Sequence, residues 1–134
     1  MTSSPSSSAD SKLPLTLKYG LTSEIWEEAV AEIRGILQQA ARERRYLTYG
    51  EVTQAMRSVQ AHPGSYVFTA MLREACRREE RETGVQLCAL VVAKATGRPG
   101  AGYFRMMPCP GDLDDCWQME AEAAFAYYRE MSST

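Results

Sequence analysis

The chain has 134 residues but a single histidine, His62, and four cysteines: Cys76, Cys88, Cys109 and Cys116. No two of the cysteines form a C-x-x-C pair, so no spacing supports a Cys/His metal centre, and no metal is expected. Buried free thiols in a reducing compartment are the expectation, with a Cys109–Cys116 disulfide as the alternative. No stretch approaches the roughly 18 apolar residues of a membrane span, so a membrane is not among the expected partners. Positive charge is also short: 15 Lys and Arg stand against 17 Asp and Glu, a formal net charge of -2. No global field recruits nucleic acid, and any DNA contact must come from a local basic patch. A phosphate-binding glycine motif is missing too; Gly97, Gly100 and Gly102 suit a hairpin. Tyr49, Glu51, His62 and Cys88 are the reactive groups on hand, and no spacing ties them into a catalytic site. Neither an enzyme nor a cofactor is expected.

Apolar residues make up 45% and charged residues 24%, the balance of a globular domain of this length. Residues 1–22 are read as a Ser-rich disordered tail followed by a more apolar arm, and 23–131 as the domain. The tail lacks the apolar core of a secretory signal, so a cytoplasmic location is expected. A first helix is predicted from Glu24 to Arg44, with Ser23 as N-cap and Ile25, Ala29, Val30, Ile33, Ile36, Leu37 and Ala40 as its apolar stripe. Leu47 adds a short strand. Thr48-Tyr49-Gly50-Glu51 then reads as a capping box opening a short helix to about Arg57. Pro63-Gly64 breaks the chain, and Ser65 caps a third helix that ends near Thr83, with Gly84 as its left-handed exit.

The third helix buries Phe68, Met71, Leu72, Ala75 and Cys76. Outward, Arg73, Arg77 and Arg81 form one row with Arg78 beside it, while Glu74, Glu79, Glu80 and Glu82 cancel the charge as a solvated, ion-paired face would. Val85 to Ala93 is almost continuously apolar and reads as a buried strand. Lys94 to Gly102 reads as a hairpin loop and Tyr103 to Met106 as its return strand. Lys94 and Arg98 give that loop a positive charge with no acid among them. A final helix starts at Asp112 or Asp114 and runs to about Met131; Trp117, Phe125, Tyr127 and Tyr128 make its apolar side wide enough for a dimer or partner surface.

The order helix, short strand, helix, helix, strand, glycine-rich loop, strand resembles the winged helix-turn-helix superfamily. The likeness rests on Leu47-Thr48-Tyr49-Gly50-Glu51-Val52, on Ala89-Leu90-Val91-Val92 and on Arg98-Pro99-Gly100-Ala101-Gly102-Tyr103-Phe104. These segments, with the final helix, resemble a group of small bacterial winged-helix proteins of uncharacterised function. A more distant likeness is to the DNA-binding domain of alkyltransferase-like proteins, whose acceptor cysteine corresponds to Cys88. In that family the cysteine is followed by histidine and arginine; here Ala89 and Leu90 follow it, so no thiolate is made and alkyl transfer is not expected.

The resemblance implies an α+β winged-helix fold (helix, short strand, helix, helix, two-stranded wing) with an extra C-terminal helix. It also implies a non-enzymatic, regulatory DNA-binding protein. Double-stranded DNA would be contacted by Arg73, Arg77, Arg78 and Arg81 of the third helix and by Lys94 and Arg98 of the wing. The alternative is a winged helix used for homodimerisation or for a protein partner, without DNA.

Overall fold

The computed structural model describes residues 17–18 and 20–133; the Ser-rich tail lies outside the described residues. The described part of the arm is a small antiparallel hairpin, β1 (Leu17–Lys18) with β2 (Leu21–Thr22). Helix α1 (Ser23–Arg42) follows directly. Its N-cap is Thr22, not Ser23: the Thr22 hydroxyl accepts from the Ile25 amide at 3.2 Å. At the start of the helix Trp26 enters the core and Ile25 stays exposed, the reverse of the expected stripe.

Strand β3 (Leu47–Thr48) leads into α2 (Tyr49–Ala55) through the expected capping box. The Thr48 hydroxyl accepts from the Glu51 amide at 3.0 Å, and the Glu51 carboxylate accepts from the Thr48 amide at 2.8 Å. After α2, the Glu32 carboxylate of α1 accepts from the Arg57 amide at 2.6 Å and from the Ser58 amide at 3.0 Å, which fixes the turn. Helix α3 (Tyr66–Thr83) is capped by Ser65 and exits through Gly84 at φ 79, a conformation that costs glycine nothing.

Beyond Gly84 the chain departs from expectation. The apolar run is not one strand: Leu87–Leu90 is a turn of 3-10 helix, and only Val91–Val92 forms a strand, β4. Leu87, Ala89 and Leu90 are fully buried and Cys88 partly so, and a run without polar residues lacks the alternation that distinguishes a strand from a helical turn. β4 pairs in parallel with β3, Leu47 opposite Val91 and Thr48 opposite Val92.

The antiparallel return strand is also corrected. Residues 93–98 close a tight turn through Gly97 N–H to Ala93 O and Ala93 N–H to Arg98 O, both at 2.8 Å. Pro99 has no N–H to continue a ladder. The next segment forms α4 (Ala101–Met106), and α5 (Leu113–Ser133) completes the chain. The fold is therefore α+β and mostly helical, with five α-helices and a two-stranded parallel sheet beside the small hairpin among the described residues.

One core gathers α1, α3, the 3-10 turn and α5 around Ile33, Leu37, Phe68, Met71, Leu87 and Leu90. Each such side chain contributes about 1.5–3 kcal/mol by leaving water. Trp117 of α5 is tied to the 3-10 turn by its indole N–H, which donates to Ala89 O at 2.7 Å.

Within this core lies a charged knot that the sequence pattern did not disclose. Glu79 is fully buried, although the pattern places it on a solvated face. Its carboxylate accepts from Arg34 Nε at 2.6 Å, Gln38 Nε2 at 2.9 Å, Thr83 Oγ1 at 3.1 Å and the Tyr128 hydroxyl. Burial pulls the Glu79 carboxyl up, but the bonds from Tyr128, Arg34 and Gln38 outweigh it and hold it below the ordinary carboxylate range. The Tyr128 hydroxyl moves the other way, raised by burial and by the bond to Glu79.

The cysteines correct the expectation of free thiols. Cys76 of α3 bonds Cys88 of the 3-10 turn, with Cα atoms 5.8 Å apart. Cys109 bonds Cys116 across the start of α5, with Cα atoms 6.1 Å apart. The first pairing joins two elements whose approach only the folded chain defines, so spacing alone gave no sign of it.

Candidate functional site

The outward face of α3 divides its arginines into two kinds. Arg77 is paired with Glu74, one turn away. Arg78 bonds Glu74 at 2.8 Å and Glu27 of α1 at 2.7 and 2.9 Å, and these bonds raise its pKa. Burial pulls the Glu74 carboxyl up, and its two arginines more than reverse that. Arg73 and Arg81 are exposed and have no acidic partner among the described residues.

The loop after β4 divides in the same way. Lys94 is exposed and unpaired among the described residues, while Arg98 is held by Asp114 of α5, Nε to Oδ1 at 2.9 Å. The Arg98 guanidinium also lies over the Phe104 ring, 5.2 Å from its centroid. The loop carries no acid of its own, yet α5 supplies one.

A groove of about 370 Å³ lies alongside Arg73. Its walls come from α3, the 3-10 turn, β4 and α4, and the Cys76–Cys88 bridge forms part of the lining. The capping box sets Tyr49 at the first position of α2, from where its hydroxyl accepts from the Gly100 amide at 3.1 Å. A Cβ on Gly100 would stand 3.1 Å from that oxygen, a tight contact that glycine avoids. Two residues on, the Arg73 and Arg105 guanidinium groups lie 3.8 and 3.9 Å from where a Cβ on Gly102 would sit. Two cations thus converge on one backbone point, and neither has an acidic partner among the described residues.

Tyr103 also lines this groove, and its hydroxyl is shut off from solvent without a hydrogen-bond partner among the described residues. Burial, with the nearby negative charge of Glu120, drives its pKa well up, so it stays a neutral donor. Sequence reading passed over Tyr103 because an aromatic beside a glycine-rich loop looks like strand filling. The glycines at 100 and 102 were the available signal, since each marks where a side chain approaches the backbone.

Trp117, Phe125 and Tyr128 do not form an outer surface: all three are buried in the chain's own core. Tyr127 alone of the four is half-exposed, edge-on to Tyr128 with ring centroids 5.0 Å apart. The buried side of α5 packs on α1 and the 3-10 turn, while Leu113, Met119 and Met131 stay exposed. His62 takes a turn role, its Nδ1 accepting from the Gly64 amide at 3.2 Å. Cys88, the position of the alkyl acceptor in the distant resemblance, is bonded to Cys76.

No helix of the described residues is long and apolar enough to cross a membrane, and no cluster of three or more metal-ligating side chains occurs among them. Comparison with family models, with curated proteins and with solved structures returns no match.

Proposed function

We propose that the chain is a non-enzymatic, regulatory DNA-binding protein of winged-helix type. In this reading α2 and α3 form the helix-turn-helix and α3 enters the major groove. The observation that carries it is the pair of exposed guanidinium groups on α3 that form no ion pair among the described residues, Arg73 and Arg81. An exposed arginine without a carboxylate partner keeps its full attraction for phosphate, whereas a paired one must first break its bond. Lys94 and Arg105 add to the same set from the segment after β4. Arg77, Arg78 and Arg98, bound to Glu74, Glu27 and Asp114, act on this reading as supports for the fold.

The wing takes a modified form in this proposal, a tight turn followed by a short helix. A cytoplasmic setting belongs to the same proposal, and there the two cysteine pairs would stand as adjacent thiols wherever the compartment keeps them reduced. The neutralised part of α3 supports a second reading, a winged helix that contacts a protein, because paired charges orient a protein partner without attracting phosphate.

The test is fluorescence anisotropy against a random-sequence duplex over a salt series. DNA binding requires micromolar affinity that falls linearly in logarithm with salt. No binding at low salt removes the DNA reading and leaves the protein-contact one.

A further inference from the structure

The groove beside Arg73 carries a reactive bond in its wall. Both Cys76 and Cys88 line this space of about 370 Å³, and the two are joined as a disulfide. Cys88 is partly exposed, whereas Cys76 on α3 is buried, at 6%. Leu72, Val91, Met106 and Met107 give the same space an apolar lining. Exchange with a thiol begins when a thiolate attacks one sulfur of a disulfide and expels the other, and access decides which sulfur is attacked. Here access favours Cys88.

The two bridges of the chain differ in what they hold. Cys109 and Cys116 are seven residues apart and close a loop at the start of α5. Cys76 and Cys88 join two separate elements, α3 and the 3-10 turn. Each of those elements has anchors of its own. Helix α3 keeps the Glu79 knot and the buried Phe68 and Met71. The 3-10 turn keeps Leu87 and Leu90 in the core, and Trp117 holds its Ala89 carbonyl. Opening the groove bridge therefore loosens one joint and leaves the core assembled. Trp117 reports on that joint, because its indole bonds the residue next to Cys88.

We propose that the Cys76–Cys88 bridge is a reversible thiol-exchange site, with Cys88 as the sulfur that takes the incoming small thiol. The thiolate of a monothiol with no other charge enters the apolar groove and bonds Cys88 Sγ. The bond between Cys88 and Cys76 breaks, its electron pair leaves on Cys76 Sγ, and that sulfur takes a proton from solvent. A second thiolate then attacks the sulfur of the first thiol in the mixed disulfide, and Cys88 leaves and is protonated in turn. Two thiols are thereby oxidised to their disulfide while the bridge is reduced to two cysteines. The small disulfide runs the same steps backwards and restores the bridge. None of this depends on DNA binding.

The test equilibrates the full chain, without DNA, with mercaptoethanol and its disulfide at graded ratios. Acid quenching, thiol blocking and peptide mass mapping then assign the state of each cysteine, while circular dichroism follows the fold and tryptophan emission the joint. The Cys76–Cys88 pair should open and reclose with the ratio, about tenfold or more faster than the chain unfolds, with the helical signal retained. Quenched early, the trapped adduct should map to Cys88. Emission should change in step with this pair, and still do so in Cys109→Ser/Cys116→Ser, where the other bridge is absent. The lone Cys88 of Cys76→Ser should react with the small disulfide about tenfold or more faster than the lone Cys76 of Cys88→Ser. A bridge that opens only as fast as the chain unfolds, or an adduct found equally or mainly on Cys76, overturns the proposal. The wild-type exchange decides even where a serine variant fails to fold.

Discussion

The Glu79 knot and the Gly102 groove are both built on α3, and they handle polar groups in opposite ways. Around Glu79, four donors from α1, α3 and α5 converge on one buried carboxylate. Around Gly102, two guanidinium groups converge with no carboxylate to accept them among the described residues. A satisfied buried network fixes how helices pack, while exposed guanidinium groups without a carboxylate keep their attraction for an outside anion. The first pattern belongs to architecture and the second to recognition. Counting arginines along α3 cannot separate them; only their partners do.

The sharpest way to break this contrast is to remove the centre of the knot. Glu79→Ala leaves the Tyr128 hydroxyl and Gln38 without their acceptor and Arg34 with Glu82 alone, and should cost about 3 kcal/mol, read by urea unfolding. A loss below about 1 kcal/mol would mean that the knot is not what aligns the helices.

Acid tests the same knot without mutation. The Glu79 carboxyl is held below its ordinary value of 4.5, so the folded state binds its proton less readily than the unfolded chain. Its contribution is therefore complete above about pH 4.5 and is lost as pH falls through the lower folded-state value. Glu32 and Glu74 shift in the same direction, so wild type should lose stability steadily below that pH. In Glu79→Gln the slope of stability against pH should be shallower; an unchanged slope would assign the acid loss to the other carboxylates.

The smallest effect is expected in the groove. Tyr103→Phe removes a hydroxyl that has no partner among the described residues, so stability should stay within about 1 kcal/mol of wild type or rise slightly. A clear drop in the unfolding midpoint would show that this hydroxyl is satisfied in solution, and the contrast with Glu79 would weaken.

Most of what was legible in the sequence was local. Thr48 and Glu51 bond each other three residues apart, and Ser65 and Gly84 mark the two ends of α3 by their own backbone chemistry. The features that were not legible depend on distant partners. Arg34 and Tyr128 reach Glu79 from 45 and 49 residues away, and no periodicity encodes that choice. Cys76 and Cys88 meet only because the 3-10 turn packs against α3.

Two misreadings had a different cause. The run from Leu87 to Ala93 is apolar throughout, so its sequence carries no polar period to read. The segment after Pro99 has the glycines of a hairpin, but the bond from the Gly100 amide to Tyr49 holds its backbone at the start of α4. For the candidate site, the arginine row was visible and its division into paired and unpaired members was not, because Glu27 and Asp114 come from α1 and α5.

That division is the central claim, and the salt dependence of duplex binding tests it most directly. Anisotropy titrations over a salt series should compare Arg73→Ala/Arg81→Ala with Arg77→Ala/Arg98→Ala. The expected result is a slope reduced by about one for each phosphate contact removed in the first double variant, and nearly unchanged in the second. Equal losses in both, or a larger loss from Arg77 and Arg98, would contradict the assignment of the unpaired arginines to recognition and the paired ones to the fold.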